Sequence, residues 1–138
     1  VKEALASMEY KRIQQSVNVN MLGIINVAKA SYPYLQKTKG ALLAYTSSSY
    51  TRGRMMYSIY SATKAAVVNL VQALAEEWSN DHIRVNCINP ERTKTPMRVS
   101  NFGNEPEDTL LKSEEVAIAS LNTLIADCTG EVIDVKRK

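Results

Sequence analysis

Histidine is nearly absent from these 138 residues, cysteine occurs twice and glycine five times, and each scarcity closes a route. A Ser-His-Asp hydrolase would have to rest on His82, the single imidazole. Its setting, Asn80-Asp81-His82-Ile83, reads as a helix-to-strand turn, which makes it structural. Cys87 and Cys128 have no metal-ligand spacing and read as buried, reduced thiols of a cytoplasmic protein. The glycines (Gly23, Gly40, Gly53, Gly103 and Gly130) are scattered, so no glycine-rich phosphate turn occurs among them. No apolar run approaches the roughly 20 residues of a membrane span, and no charged segment followed by an apolar one opens the chain. A net charge of +3, without a basic stripe interleaved with aromatics, is too mild to argue for nucleic acid. The terminal Lys136-Arg137-Lys138 reads as a solvated tail. What is present, 45% hydrophobic and 22% charged residues, is the balance of one globular domain, or part of one, with enough chain to bury a core.

Hydrophobic periodicity divides the chain into alternating elements. From about Tyr10 to Leu35 apolar residues recur at helical spacing (Val17, Met21, Ile24, Ile25, Ala28, Leu35), with Val19, Leu22 and Val27 elsewhere around the same helix. A helix apolar on more than one side is expected to be covered on more than one side, by a sheet and by a partner subunit. Pro33 falls close to its end, and Lys39-Gly40 supplies a turn. The run from Ala41 to Thr46 suits a buried parallel strand whose carboxyl end delivers Ser47-Ser48-Ser49 into a loop. A second helix is expected from Tyr57 to Trp78, with a core stripe at Val67, Leu70, Val71, Leu74 and Trp78. Its second face is small (Ala62, Ala66, Ala73) and suits close approach of another helix. Ile83 to Asn89 reads as a strand ending at Pro90, Glu91 to Leu111 as a long polar loop, and Ser113 as the cap of a third helix. After Gly130, Glu131 to Val135 forms a last strand. The order describes an α/β fold with a parallel sheet, in which ligands bind beyond the carboxyl ends of the strands, where Ser47 and Pro90 fall.

Tyr60 and Lys64 stand four residues apart within the second helix, which puts phenol and ammonium on one face. A cation one turn away favours the ionised form of a phenol, the property needed to exchange a proton with a carbonyl oxygen near neutral pH. Taken alone, such a pair is far more often two residues that happen to share a helix face.

The wider pattern resembles the short-chain dehydrogenase/reductase family. Asn20 in Val19-Asn20-Met21-Leu22-Gly23 matches the family's helix asparagine, Ser47 its serine after the fifth strand, and Tyr60 with Lys64 its Tyr-x-x-x-Lys pair. Ile83-Arg84-Val85-Asn86, then Pro90 and Thr95-Pro96-Met97, match the segment around its Pro-Gly motif. The resemblance covers essentially the whole chain and implies the C-terminal half of a Rossmann-like, doubly wound parallel sheet. It implies Tyr60 as general acid for carbonyl reduction, Ser47 as hydrogen-bond partner of the substrate oxygen, and Lys64 as the residue that holds the nicotinamide ribose. Asn20 would position a water in a proton relay to Lys64, and Pro90, Thr93 and Thr95 would contact the nicotinamide of NADP(H) or NAD(H).

Two departures qualify this. Pro-Gly is Pro90-Glu91 here, which puts a side chain where the backbone would approach the cofactor. The glycine-rich turn and the family's Asn-Asn-Ala-Gly motif are absent, so residues 1–138 are expected to be a C-terminal part lacking the dinucleotide-binding half. A narrower resemblance rests on Asn89 to Arg98, Asn101 to Pro106 and the ending Thr129 to Val135. These are similar to the reductase part of bacterial bifunctional enzymes that make CDP-ribitol, which implies a phosphorylated ketose, D-ribulose 5-phosphate, as substrate. Arg52 and Arg54, and the second cluster Arg92, Lys94 and Arg98, border the expected site, and guanidinium groups suit phosphate oxygens. Arg52 and Arg54 could equally be solvated loop charges, and the second cluster could serve the cofactor's phosphates.

Overall fold

The computed structural model describes residues 2–137. It opens with one long helical segment, α1 (Tyr10–Val17) and α2 (Gly23–Thr38), joined without a break through a π-helical stretch at Asn18–Leu22. A π stretch widens the helix by bonding to the fifth residue back, and Asn20 lies inside it. Pro33 sits within α2 and the helix runs on to Thr38. The left-handed residue that ends it is Lys39 (φ 51°), while the Gly40 N–H donates to the Leu35 carbonyl at 3.0 Å. A Cβ at Gly40 would stand 2.8 Å from Leu35 Cδ2, so a larger residue there would make the Leu35 side chain shift.

Three parallel strands follow, β1 (Ala41–Tyr45), β2 (Arg84–Pro90) and β3 (Val132–Val135), in the order β1-β2-β3. Ala41 pairs with Arg84 and Tyr45 with Ile88, and Cys87 to Pro90 pair with Val132 to Val135. α3 (Ser58–Glu77) connects β1 to β2 and α5 (Ser113–Ile125) precedes β3. The sheet is sandwiched, as expected of a doubly wound arrangement. On one face Val67 and Val71 of α3, Trp78 at its carboxyl end and Ala28 of α2 pack with Leu42, Ala44, Val85 and Cys87. On the other, Val116 and Ala119 of α5 pack around Ile88, Leu111 and Val135. Alternation along β1 and β2 sends successive side chains to opposite layers, which explains why strands covered on both faces read as near-continuous apolar runs.

Three expectations are corrected. The polar stretch from Glu91 to Leu111 is not all loop, because α4 (Pro96–Phe102) forms inside it. The Thr95 side chain accepts the Arg98 N–H at 3.1 Å, Pro96 occupies the first turn, and Gly103 follows with φ 73°. Ser113 does not cap α5; Lys112 is the cap residue, its N–H donating to Glu115 Oε2 at 2.8 Å, while Ser113 Oγ donates to the Lys94 carbonyl at 3.2 Å. Cys128 is only half-buried, whereas Cys87 is fully enclosed and its thiol is pushed up to about 11 by burial, against the pull of the Lys64 charge. His82 takes a left-handed conformation (φ 59°) between α3 and β2, in the helix-to-strand turn its sequence setting predicts. In the tail, Lys136 pairs with Asp134 at 3.0 Å and the Arg137 N–H donates to Glu91; Lys138 lies outside the described residues.

Part of the helical surface stays open. Val19, Leu22 and Val27 on the first helical segment and Ile118, Leu121 and Ile125 on α5 are exposed, as is the small face at Ala62 and Ala73. No helix among the described residues is long and apolar enough to cross a membrane.

Candidate active site

The carboxyl ends of β1 and β2 and the amino end of α3 converge, and most of the residues singled out in the sequence stand there. Thr46 extends the β1 ladder by donating its N–H to the Ile88 carbonyl at 2.9 Å, which fixes where the next residue leaves the sheet. That residue is Ser47, extended (φ −155°, ψ 154°), whose Oγ accepts the Ser49 N–H at 3.3 Å. An Oγ that accepts within the chain keeps its own proton free to donate outward. The turn from Ser48 to Tyr50 then leads through the exposed segment Thr51 to Met56, where Met56 takes a left-handed conformation (φ 67°) before Tyr57 begins α3.

Tyr60 and Lys64 share the α3 face turned to the strand ends, with the Lys64 ammonium 5.7 Å from the Tyr60 ring centroid. Lys64 Nζ donates to the Tyr45 carbonyl at 2.9 Å, and Thr46 Oγ1 donates to the Lys64 carbonyl at 2.9 Å, so the two residues that precede Ser47 are both tied to α3. Burial lowers the Lys64 pKa below the ordinary lysine value. Tyr60 Oη makes no hydrogen bond within the described residues. Asn20 reaches α3 from the π stretch: its Nδ2 donates to Thr63 Oγ1 at 3.3 Å, and Thr63 Oγ1 donates to the Tyr60 carbonyl at 2.8 Å. The asparagine is thus tied to the residue between Tyr60 and Lys64, with no direct bond to Lys64.

The loop after β2 is more self-contained than its sequence suggested. Thr93 Oγ1 donates to the Glu91 carbonyl at 2.8 Å, and Thr95 is occupied as the α4 cap. Glu91, the residue in the glycine position, turns its carboxylate to the Arg137 N–H at 3.1 Å, toward the C-terminal tail. The second basic cluster is paired internally, its three cations sharing two carboxylates. Arg98 makes two hydrogen bonds to Glu105 (2.6 and 2.8 Å), Arg92 lies 3.6 Å from the same carboxylate, and Lys94 pairs with Glu107. The pairing raises the Arg98 pKa and holds the Glu105 carboxyl below the usual carboxylate range. Arg52 and Arg54 are different: both are exposed, and neither has a carboxylate partner among the described residues.

Sequence reasoning passed over two residues here. Tyr57 stands edge-on to Tyr60 with ring centroids 5.9 Å apart, and Phe102 of α4 stacks on Tyr57 at 6.2 Å and 10°. The three-residue spacing from Tyr57 to Tyr60 already places both on one helix face; nothing local announces Phe102.

A family model described as enoyl-(acyl carrier protein) reductase matches residues 1–131. The chain is 57% identical over 136 residues to the bifunctional ribulose 5-phosphate reductase/CDP-ribitol pyrophosphorylase Bcs1 of Haemophilus influenzae, over 99% of this chain and 29% of that protein. Among solved structures, a short-chain dehydrogenase of Escherichia coli CFT073 complexed with NADPH superposes with a TM-score of 0.88 at 29% identity, over 99% of this chain and 58% of that one. The 3-ketoacyl-(acyl-carrier-protein) reductase of Brucella melitensis complexed with NADH gives 0.87 at 25% identity, over 97% and 60%. The chain therefore spans under a third of the Haemophilus protein and about three-fifths of the two crystallised chains.

Proposed function

This chain belongs to the short-chain dehydrogenase/reductase family of oxidoreductases, and from that premise we propose that it is the catalytic portion of a longer chain that reduces D-ribulose 5-phosphate to D-ribitol 5-phosphate. The observation that carries the substrate is the 57% identity to the Haemophilus reductase/pyrophosphorylase, sustained across 99% of this chain. The chemistry is supported by the meeting of Ser47, Tyr60, Lys64 and, through Thr63, Asn20 at the carboxyl ends of parallel strands.

Tyr60 delivers the proton to the carbonyl oxygen, Ser47 donates a hydrogen bond to the same oxygen, and the Lys64 ammonium keeps the developing phenolate favourable. One proton and one hydride convert the ketone to the secondary alcohol. The hydride is what a reduced nicotinamide supplies when bound; NADP(H) is the preferred form and NAD(H) the alternative. The residues present suit the nicotinamide end of such a cofactor. Lys64 is a half-buried donor beside an unpartnered phenol, and Pro90, Thr93 and Thr95 stand at the neighbouring strand end. A glycine-rich site for the pyrophosphate is left to the upstream part of the longer chain. The test is NADPH oxidation by that longer chain with D-ribulose 5-phosphate, beside NADH as competitor. No oxidation with either would remove the substrate assignment.

Arg52 and Arg54 are the phosphate-binding candidates, since the other basic side chains of the region are already paired. Replacing both by Ala should raise the KM for D-ribulose 5-phosphate by about tenfold or more while leaving unphosphorylated D-ribulose nearly unaffected. Equal KM values in variant and parent would return both arginines to solvated loop.

A second role, assembly, is favoured by the exposed apolar residues Val19, Leu22 and Val27 and the open small face of α3. The longer chain is expected to sediment as a homo-oligomer, and a monomer at every concentration tested would remove that role.

A further inference from the structure

One buried hydroxyl joins the two helical segments of the site. Thr63 lies between Tyr60 and Lys64 on α3, only 4% exposed, and its Oγ1 donates to the Tyr60 carbonyl at 2.8 Å. A hydroxyl has one proton and a carbonyl oxygen can only accept it, so that proton is committed. Toward Asn20, 3.3 Å away, Thr63 Oγ1 therefore acts as acceptor, and it takes the Nδ2 donor. The direction of the two bonds fixes more than a distance. It sets which arm of the Asn20 carboxamide faces α3, and leaves Oδ1 as an acceptor with no hydrogen bond among the described residues. The backbone on the other side is equally specific. Asn20 sits in the π-helical stretch Asn18–Leu22, a local widening of the helix that occurs often at functional sites. Among the described residues, the Asn20–Thr63 bond is the one side-chain hydrogen bond between that stretch and α3.

We propose that Thr63 is a positioning residue of the reductase, whose hydroxyl orients the Asn20 amide against the Tyr60–Lys64 turn and so supports turnover. Thr63 acts through Asn20 and touches neither substrate nor cofactor. Exchanging the hydroxyl for a methyl leaves Asn20 Nδ2 without its acceptor, and nothing then distinguishes the nitrogen arm of the amide from the oxygen arm. Side chains that work in catalysis need such support, because a group free to rotate is correctly placed for only part of the time. The inference rests on the reductase reading above and deepens it at Asn20.

The test uses the longer parent chain with Thr63→Val, Thr63→Ser, Asn20→Ala and the double variant Asn20→Ala/Thr63→Val. Valine keeps the branched shape and loses the hydroxyl, whereas serine keeps the hydroxyl and loses the methyl. NADPH oxidation is followed with D-ribulose 5-phosphate, D-ribulose and dihydroxyacetone phosphate, and urea midpoints are taken without ligands. Thr63→Val is expected to lower kcat about tenfold while both KM values change by less than about twofold. Thr63→Ser should restore most of that loss. Asn20→Ala should lower kcat at least as far as Thr63→Val, and the double variant no further than Asn20→Ala, because the two residues act as one. The midpoint losses should likewise fail to add, since each variant breaks the same bond. A bond that merely joins two helices would lower the Thr63→Val midpoint and leave the kcat of the folded protein unchanged, and that result overturns the proposal. Multiplied kcat losses in the double variant, or a serine variant as impaired as the valine one, overturn it too. If D-ribulose 5-phosphate is inert and another hydroxyketone reacts, the phosphoketose reading fails and this inference is judged on that ketone. A parent chain that reduces no hydroxyketone overturns both.

Discussion

Tyr60→Phe in the longer parent chain is expected to lower turnover by about 10²- to 10⁴-fold, the usual contribution of a positioned general acid. The substitution removes one oxygen and leaves the ring on α3, edge-on to Tyr57, so the fold is not put at risk. Tyr60 Oη has no hydrogen bond to lose within the described residues, and stability should change by less than about 0.5 kcal/mol. Turnover and stability therefore separate cleanly. The decisive comparison is kcat with D-ribulose 5-phosphate at saturating NADPH in the two proteins, alongside their denaturation midpoints. Retained turnover in the variant would remove Tyr60 from the chemistry, and with it the reason for Lys64 to stand where it does.

Ile88→Ala should have the largest effect on stability, about 3 to 4 kcal/mol, because the side chain is fully enclosed between β2, β3 and α5. Ile88→Val, which deletes a single methylene, should cost about 1 kcal/mol. The same residue bears on the site through its backbone. The Ile88 carbonyl accepts the Thr46 N–H, and Ile88 pairs in register with Tyr45, whose carbonyl holds Lys64. The cavity left by Ala thus opens beneath the point where β1 releases Ser47. Urea midpoints of the parent chain and the two variants measure the effect. Equal midpoints for Ala and wild type would mean that α5 does not seal this face of the sheet in the full protein.

The elements that were legible in the sequence are those in which burial repeats with the backbone's own period. Val67, Val71 and Trp78 lie on one side of α3 because the helix returns every 3.6 residues, and all three are buried. Leu42 and Ala44 alternate with half-buried neighbours in β1 because strand side chains switch faces at each step. The Tyr60–Lys64 pair was legible for the same reason, a single helix turn connecting its members. α4 was missed although Thr95, Pro96 and Gly103 supply a cap, a first-turn proline and a left-handed end. Its seven residues are too few for an apolar period to emerge, so the boundary residues were the one available signal.

Charge was the least legible property. Arg92, Lys94 and Arg98 look alike on paper to Arg52 and Arg54, yet the first three face Glu105 and Glu107 across the loop and the latter two face none among the described residues. Ion pairing depends on which carboxylate the chain folds back toward, and Glu105 lies 13 residues beyond Arg92.

The sequence by itself determined the alternation of the longer helices and strands and the parallel α/β class, because these rest on local period, and its resemblance to a family singled out Asn20, Ser47, Tyr60 and Lys64 as candidates. Tertiary structure alone decided that Asn20 reaches α3 through Thr63, that Glu91 turns to the tail, and that Phe102 closes on Tyr57 with its hydroxyl left unpaired. Those contacts join residues 40 or more positions apart, and no local preference encodes a meeting that only the packing of separate elements brings about.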